Sequence, residues 1–361
     1  ARRALGDYAG FIVGWSDWLS NCGTTATVSF VIGEYVEVLI PALGGQRVGI
    51  AVTIAVFFAL LQWRGLRWGS ATQNLTSLLK GIGFVLLVIA CFALGGGARP
   101  TATAPALTAT APLLIGLLLA LQAVIYTVDG WSGPVYFSEE VRDPNRNLPR
   151  ALLLGVGSIM GIYLLLMVAL VYILPLSEIA GNIFALGAAA QVVFGAHGDT
   201  IIRSLMVLSM IAGINAYHLM ATRVLFAMSR DGLFARAASR VNHGGTPSVS
   251  LFTSAAVAVL FIIFIGTFQR LIALMSFFFV ANYTMSFLSL FLLRRREPSA
   301  ERPYRAWGHP WTTGAALAGS VAFLGGAVAG DTENAVWTLG LLAVSYPVYR
   351  LSQRLASPVT S

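Results

Sequence analysis

The sequence predicts an all-α, polytopic membrane protein of about ten transmembrane helices. Three observations carry this. Of 361 residues, 57% are hydrophobic and only 11% charged; the mean hydropathy is +0.77; and apolar runs recur from one end to the other. Soluble domains carry about 25% charged residues, so water is not the main solvent of this surface. A bilayer core about 30 Å thick needs about 20 apolar residues at a rise of about 1.5 Å each. Ten stretches qualify, at 10–39, 48–63, 70–94, 112–136, 151–175, 200–228, 248–267, 271–293, 312–330 and 334–350, the second being the shortest.

Basic residues in short loops are retained on the cytoplasmic side. With the N-terminus inside and the spans alternating, Arg47, Arg99, Arg203 and Arg270 fall outside. The other eighteen arginines fall inside or at inner span ends, and the lone lysine, Lys80, lies within a span. A miscount of one span in the middle would mix the two sets, so the partition supports the count. The sequence thus predicts a multi-pass protein of the cell membrane, inner or plasma, with both ends of this chain cytoplasmic. The Gly/Ala/Thr/Pro stretch 95–112 reads as a flexible outer connection, and 175–199 has room for a short re-entrant or surface helix. One integral membrane domain over 1–361 is expected, with no soluble module. The chain starts at Ala1 without an initiator Met, which points to an incomplete N-terminus.

Composition and motifs also exclude. The net charge of +8 comes from short basic clusters between apolar runs, without the aromatic-interleaved basic face of a nucleic-acid binder. Cys22 and Cys91 both lie inside apolar runs, as buried thiols do. No His-Glu-x-x-His, Gly-x-Ser-x-Gly or P-loop occurs, and His197, His218, His243 and His309 do not pair at ligand spacing. No enzyme, metal or cofactor is expected.

Three features remain that could carry chemistry. The fourth span ends Tyr126-Thr127-Val128-Asp129-Gly130-Trp131-Ser132-Gly133-Pro134, with two glycines, a proline and an acid at membrane depth. Irregular backbone is tolerated there only where protein buries it or it lines a cavity. One reading is a discontinuous helix whose carbonyls near Tyr126, Thr127 and Asp129 face a substrate ammonium; the other is a packed Pro kink. Lys80 lies deep in the third span, either facing the interior as a proton-exchanging group or snorkelling to the inner interface. Finally, Asp17, Asn21, Thr24 and Thr25 share one helix face, as do Asn215, His218 and Thr222, so each set can line a path or hold helices together.

The stretches between spans bring in a resemblance. Tyr126 to Trp131 followed by Phe137-Ser138-Glu139-Glu140-Val141-Arg142-Asp143-Pro144 and its continuation to Arg150, then Ser229-Arg230-Asp231-Gly232-Leu233 with Thr246-Pro247, then Leu293 to Pro298 and Arg302-Pro303-Tyr304-Arg305, together resemble the amino acid-polyamine-organocation superfamily. The resemblance implies a twelve-helix fold with a five-plus-five inverted repeat, whose first and sixth helices are unwound at the substrate. On it, this chain begins at the third helix: 1–95 is the remainder of the first repeat, 112–293 the second, and 312–352 two further helices. The first two helices, with the Gly-rich break that binds the substrate carboxylate, are then expected to be missing. The resemblance also implies that Tyr126 is an aromatic gate, that backbone at Tyr126, Thr127 and Asp129 meets the substrate amine with Gly130 beside them, and that Asn21, Thr24 and Asn282 face the pocket. It matches Lys80 to a lysine that some members place where others bind sodium. The function implied is secondary transport of amino acids or related amines by alternating access, proton-coupled or by exchange. A non-transporting sensor or scaffold on the same fold is the alternative.

Overall fold

Within a bilayer every backbone polar group has to pair inside its own segment, which leaves the helix as the default. The structure is a computed structural model that describes residues 1–64, 69–95, 113–182, 184–265, 267–302 and 304–356. Among the described residues it is helical with no strand. The α-helices are α1 (Arg2–Leu5), α2 (Asp7–Leu39), α3 (Arg47–Trp63), α4 (Gly69–Leu94), α5 (Leu113–Val128), α6 (Pro144–Ile173), α7 (Leu176–Ile179), α8 (Ala185–Phe194), α9 (Gly198–Arg230), α10 (Ser248–Ile265), α11 (Phe268–Arg296), α12 (Trp311–Gly330) and α13 (Thr332–Ala356). Ten of them coincide with the ten expected spans, and α7 and α8 occupy the long 175–199 connection. The connection at 96–112 lies outside the described residues.

Among the described residues, six helical segments are long and apolar enough to cross a membrane by length and composition alone, and α3 is apolar but shorter. The 33-residue α2 is outside that set for a physical reason: it runs through the middle of the bundle, packed on α3, α9, α10, α11 and α13. A helix wrapped in protein need not be lipophilic on any face. Its seventeen buried residues include Ser16, Ser20, Asn21, Thr24, Thr25, Thr27 and Ser29. Several of these satisfy themselves on their own helix: the Thr25 hydroxyl donates to the Asn21 carbonyl at 3.0 Å and Thr27 to Gly23 at 2.8 Å. Trp18 reaches across instead, its indole N–H donating to Ser254 Oγ on α10 at 2.8 Å.

Glycine lets α2 approach so many neighbours. At Gly33 a Cβ would lie 2.4 Å from the carbonyl oxygen of Arg47, which is backbone of α3, so only hydrogen fits. The main core gathers Phe11, Trp15, Trp18 and Leu19 of α2 with Leu225 of α9, Ile262 of α10 and Met275 and Phe278 of α11. A second cluster joins α4, α6, α8 and α9 around Leu87, Leu170, Ala189 and Ile202, and a third joins α5, α11 and α12 around Leu118, Phe277 and Phe323. Outward, α5, α6 and α10 present large apolar side chains such as Leu114, Leu154 and Phe264. Such a surface suits lipid and is intolerable in water at this extent.

Candidate functional site

The 112–136 span is broken rather than kinked. α5 keeps helical pairing as far as the Asp129 N–H, which donates to the Ile125 carbonyl at 3.0 Å. Gly130 then takes φ +97°, a conformation that favours glycine, and a 3-10 segment runs from Gly133 to Glu140. The break therefore turns the chain just where Asp129 leaves the helix, and the following residues cross in front of α2, α9 and α11.

A cavity of about 300 Å³ lies at that crossing. α2 contributes Asp17, Asn21 and Thr24; the break contributes Asp129, Gly130 and Trp131; the 3-10 segment adds Tyr136. α9 supplies Tyr217 and Met220, and α11 supplies Phe279, Asn282 and Tyr283. Two carboxylates thus face one cavity, each held by a phenol. Tyr136 Oη donates to Asp17 Oδ1 at 2.7 Å, and Tyr283 Oη donates to Asp129 Oδ1. The Trp131 indole N–H donates in turn to Tyr283 Oη at 3.1 Å, its ring 6.0 Å from the Tyr283 ring. Asn21 Nδ2 donates to the Asp17 carbonyl at 2.9 Å, and Asn282 Oδ1 accepts from Ser16 at 2.5 Å, so α11 and α2 are tied beside the cavity.

Val13, Asp17, Val135 and Tyr136 also line an outer recess of about 620 Å³ that extends to Arg2, Glu139, Arg230 and Asp231. The Asp17–Tyr136 hydrogen bond consequently stands in the partition between recess and cavity. The 3-10 segment is held there from behind by Arg223, which donates to the Tyr136 carbonyl at 3.4 Å and lies 4.3 Å from the Phe137 ring centroid.

The family model for amino acid permeases matches residues 1–346. The chain belongs to that amino acid permease family. It is 27% identical to a serine/threonine exchanger, SteT, of Bacillus subtilis over 96% of this chain and 79% of that protein. It is 27% identical to the polyamine transporter PUT1 of Oryza sativa over 84% of this chain and 56% of the relative. It is also 26% identical to the mouse Asc-type amino acid transporter 1 over 83% of this chain and 58% of the relative. The permease thus spans little more than half the length of the latter two. These relatives are transporters and not enzymes, and the chain is a multi-pass membrane protein of the secondary-transporter class.

Within this permease the structure brings five of the sequence-derived site residues to one cavity: Asn21, Thr24, Asp129, Gly130 and Asn282. Tyr126 and Thr127 do not line it. Because α5 continues helically to Val128, the break comes after Thr127, and the helical twist of about 100° per residue turns Thr127 away. Its carbonyl accepts from Tyr163 of α6 at 3.4 Å and its hydroxyl donates to the Ala123 carbonyl at 2.7 Å. The structure thus places the Thr127 carbonyl away from this cavity. Tyr126 packs behind the cavity, its ring 6.4 Å from Phe279. Lys80 falls on α4, and its side chain lies outside the described residues. His218 is a packing residue: buried, with Nε2 3.1 Å from the Ala55 carbonyl of α3. Asp17 was legible on its helix face, but Trp131, Tyr136, Tyr217 and Tyr283 were not singled out as site residues. Their one sequence signal is that Trp131 and Tyr136 closely follow the broken segment and Tyr283 adjoins Asn282.

Proposed function

We propose that this permease carries an amino acid or related amine across the cell membrane by alternating access, with the substrate held in the cavity between α2, the break after α5, and α11. The observation that supports the reading is the break itself: a membrane-depth segment gives up helical pairing, and it does so against a cavity into which two carboxylates and two asparagines face. That combination is the structural signature of transporter binding sites built on discontinuous helices. The volume of about 300 Å³ is at the lower end of the small-molecule range, which suits a compact solute.

In this reading an ammonium group lodges against the Asp129 and Asp17 carboxylates, with Asn21, Thr24 and Asn282 facing the remainder of the substrate and Gly130 giving the backbone its turn. Tyr126, behind Phe279, gates the cavity by moving that ring. The chain ends lie on the cytoplasmic side, as the distribution of arginines suggests, and the lipid bilayer covers the outward apolar faces. Lys80 exchanges a proton during the cycle, so that transport is proton-coupled or an exchange and does not need sodium. The relatives named as amino acid or polyamine carriers support an amino acid or amine as the solute.

The test is counterflow in proteoliposomes made with the full-length protein. Labelled substrate should accumulate against unlabelled amino acid or amine inside, without sodium, and Asp129→Asn should abolish it. Ligand binding by a well-folded protein with no counterflow for any solute would favour the sensor or scaffold reading instead.

A further inference from the structure

Away from the substrate cavity, the connection between α11 and α12 gathers positive charge. Positions 294–305 hold five arginines, Arg294, Arg295, Arg296, Arg302 and Arg305, against two acids, Glu297 and Glu301. Glu297 is already paired with Arg3 at 2.6 Å. Arg294, Arg302 and Arg305 line one pocket of about 760 Å³, together with Glu301 and the turn made by Pro298, Ser299 and Ala300. Three guanidinium groups against one carboxylate leave that lining with a net positive charge.

The turn is folded around one of these cations. Arg302 donates to the carbonyls of Glu297 at 2.7 Å, Ala300 at 2.8 Å and Pro298 at 3.2 Å, which fixes its guanidinium at the pocket wall. Carbonyl acceptors orient a guanidinium but do not neutralise it. Arg294 brings a second signal, because its Nε is buried without a hydrogen-bond partner. Buried polar nitrogens nearly always find one. Phosphate is the anion whose oxygens match the planar fork of a guanidinium, two bonds at a time.

The surroundings point to the source of the phosphate. Trp307 and Trp311, on the same connection and at the start of α12, are 74% and 85% exposed, and Tyr304 is 45% exposed. Rings so placed are unfavourable in water and favourable at the headgroup level of a bilayer, where Trp and Tyr collect. The Thr312 hydroxyl donates to the Trp307 carbonyl at 2.6 Å, which holds the first indole to the helix that carries the second. Aromatic anchors beside the arginines put the pocket at the depth of lipid phosphates.

We propose that this pocket binds the phosphate of an anionic phospholipid, held by Arg294, Arg302 and Arg305 with Trp307 and Trp311 seated in the interface beside it. A zwitterionic lipid carries its own cation into a cationic lining, so the pocket selects against it. By the distribution of arginines this is the cytoplasmic end of the bundle, the leaflet in which anionic lipids concentrate.

The experiment offers the full-length protein in detergent equal amounts of dioleoyl phosphatidylglycerol and dioleoyl phosphatidylcholine and counts retained lipid by native mass spectrometry. The wild type should prefer phosphatidylglycerol about tenfold, the ratio expected for one charge-assisted hydrogen bond. Arg294→Gln combined with Arg305→Gln should bring that ratio close to one. Arg236→Gln combined with Arg240→Gln, which removes the same charge from exposed positions outside this pocket, should leave it unchanged. Equal retention of the two lipids by the wild type, or the same preference in both double variants, would overturn the proposal. So would inorganic phosphate that, without lipid, raises the melting temperature as much as phosphatidylglycerol does, since the site would then take a free anion. For the case of a double variant that does not fold, phosphatidylglycerol with a photoreactive headgroup is crosslinked to the wild type. Adducts on 298–311 are expected, and adducts confined to other segments would again overturn it.

Discussion

Replacing Gly33 by alanine should part the two helices that frame one end of the bundle. An ideal Cβ there lies 2.4 Å from the Arg47 carbonyl oxygen, 3.1 Å from its carbon and 3.3 Å from its Cα. All three atoms are backbone, so no rotamer relieves the clash. A relaxed nonbonded contact is about 3.5 Å, which requires α2 and α3 to separate by about 1 Å. Overpacking of this kind costs about 1–3 kcal/mol. The separation would also strain the bond from the Arg47 N–H to Glu37 Oε1 at 2.7 Å and the Arg47 guanidinium over the Phe30 ring at 5.4 Å. Against this stands the better helix propensity of alanine, about 1 kcal/mol. The net expectation is destabilisation by up to about 2 kcal/mol. Gly49, two residues into α3, is the matched control, because a Cβ there meets nothing within 4 Å. Gly49→Ala should be neutral or stabilising by up to about 1 kcal/mol. Thermal unfolding in one detergent, followed by tryptophan fluorescence, reads both. Opposite signs are expected; a Gly33→Ala protein as stable as the Gly49→Ala protein would refute the argument that backbone contact sets this helix spacing.

Other perturbations address the site. Gly130→Val should abolish ligand binding while the protein remains folded, since φ +97° costs a β-branched residue about 1–2 kcal/mol and turns the break out of place; wild-type affinity in that variant would show that the turn is dispensable. Lys80→Ala should flatten the pH dependence of uptake without creating a sodium requirement, measured in proteoliposomes across a proton gradient. Thr127→Val should leave affinity within about twofold, because its hydroxyl and carbonyl are engaged away from the cavity, and a surface-like substitution costs under about 0.5 kcal/mol.

The spans were legible because a bilayer imposes one length and one composition on every helix that crosses it, and no alternative period competes. α2 shows where that rule weakens: its polar residues read as a path or as glue, and only its central position explains why so many are buried together. The break was legible as well, since Asp129-Gly130 and Gly133-Pro134 cannot continue a helix cheaply. Its register was not, because how far the helix continues is decided by packing against α11 and α12, and that sets Thr127 outside the cavity lining. The phenols escaped notice for another reason. Tyr136 meets Asp17 across 119 residues and Tyr283 meets Asp129 across 154, and no local spacing encodes such a pairing.

The position of Trp131 gives this protein an optical reporter of its own. Among the described tryptophans it is the one that lines the cavity, and its indole N–H is bonded to the same phenol that holds Asp129. A solute that draws the Asp129 carboxylate away frees Tyr283 and changes the polarity at the indole edge. Occupancy can therefore be followed label-free as the difference in emission between the wild-type protein and Trp131→Phe, titrated in parallel.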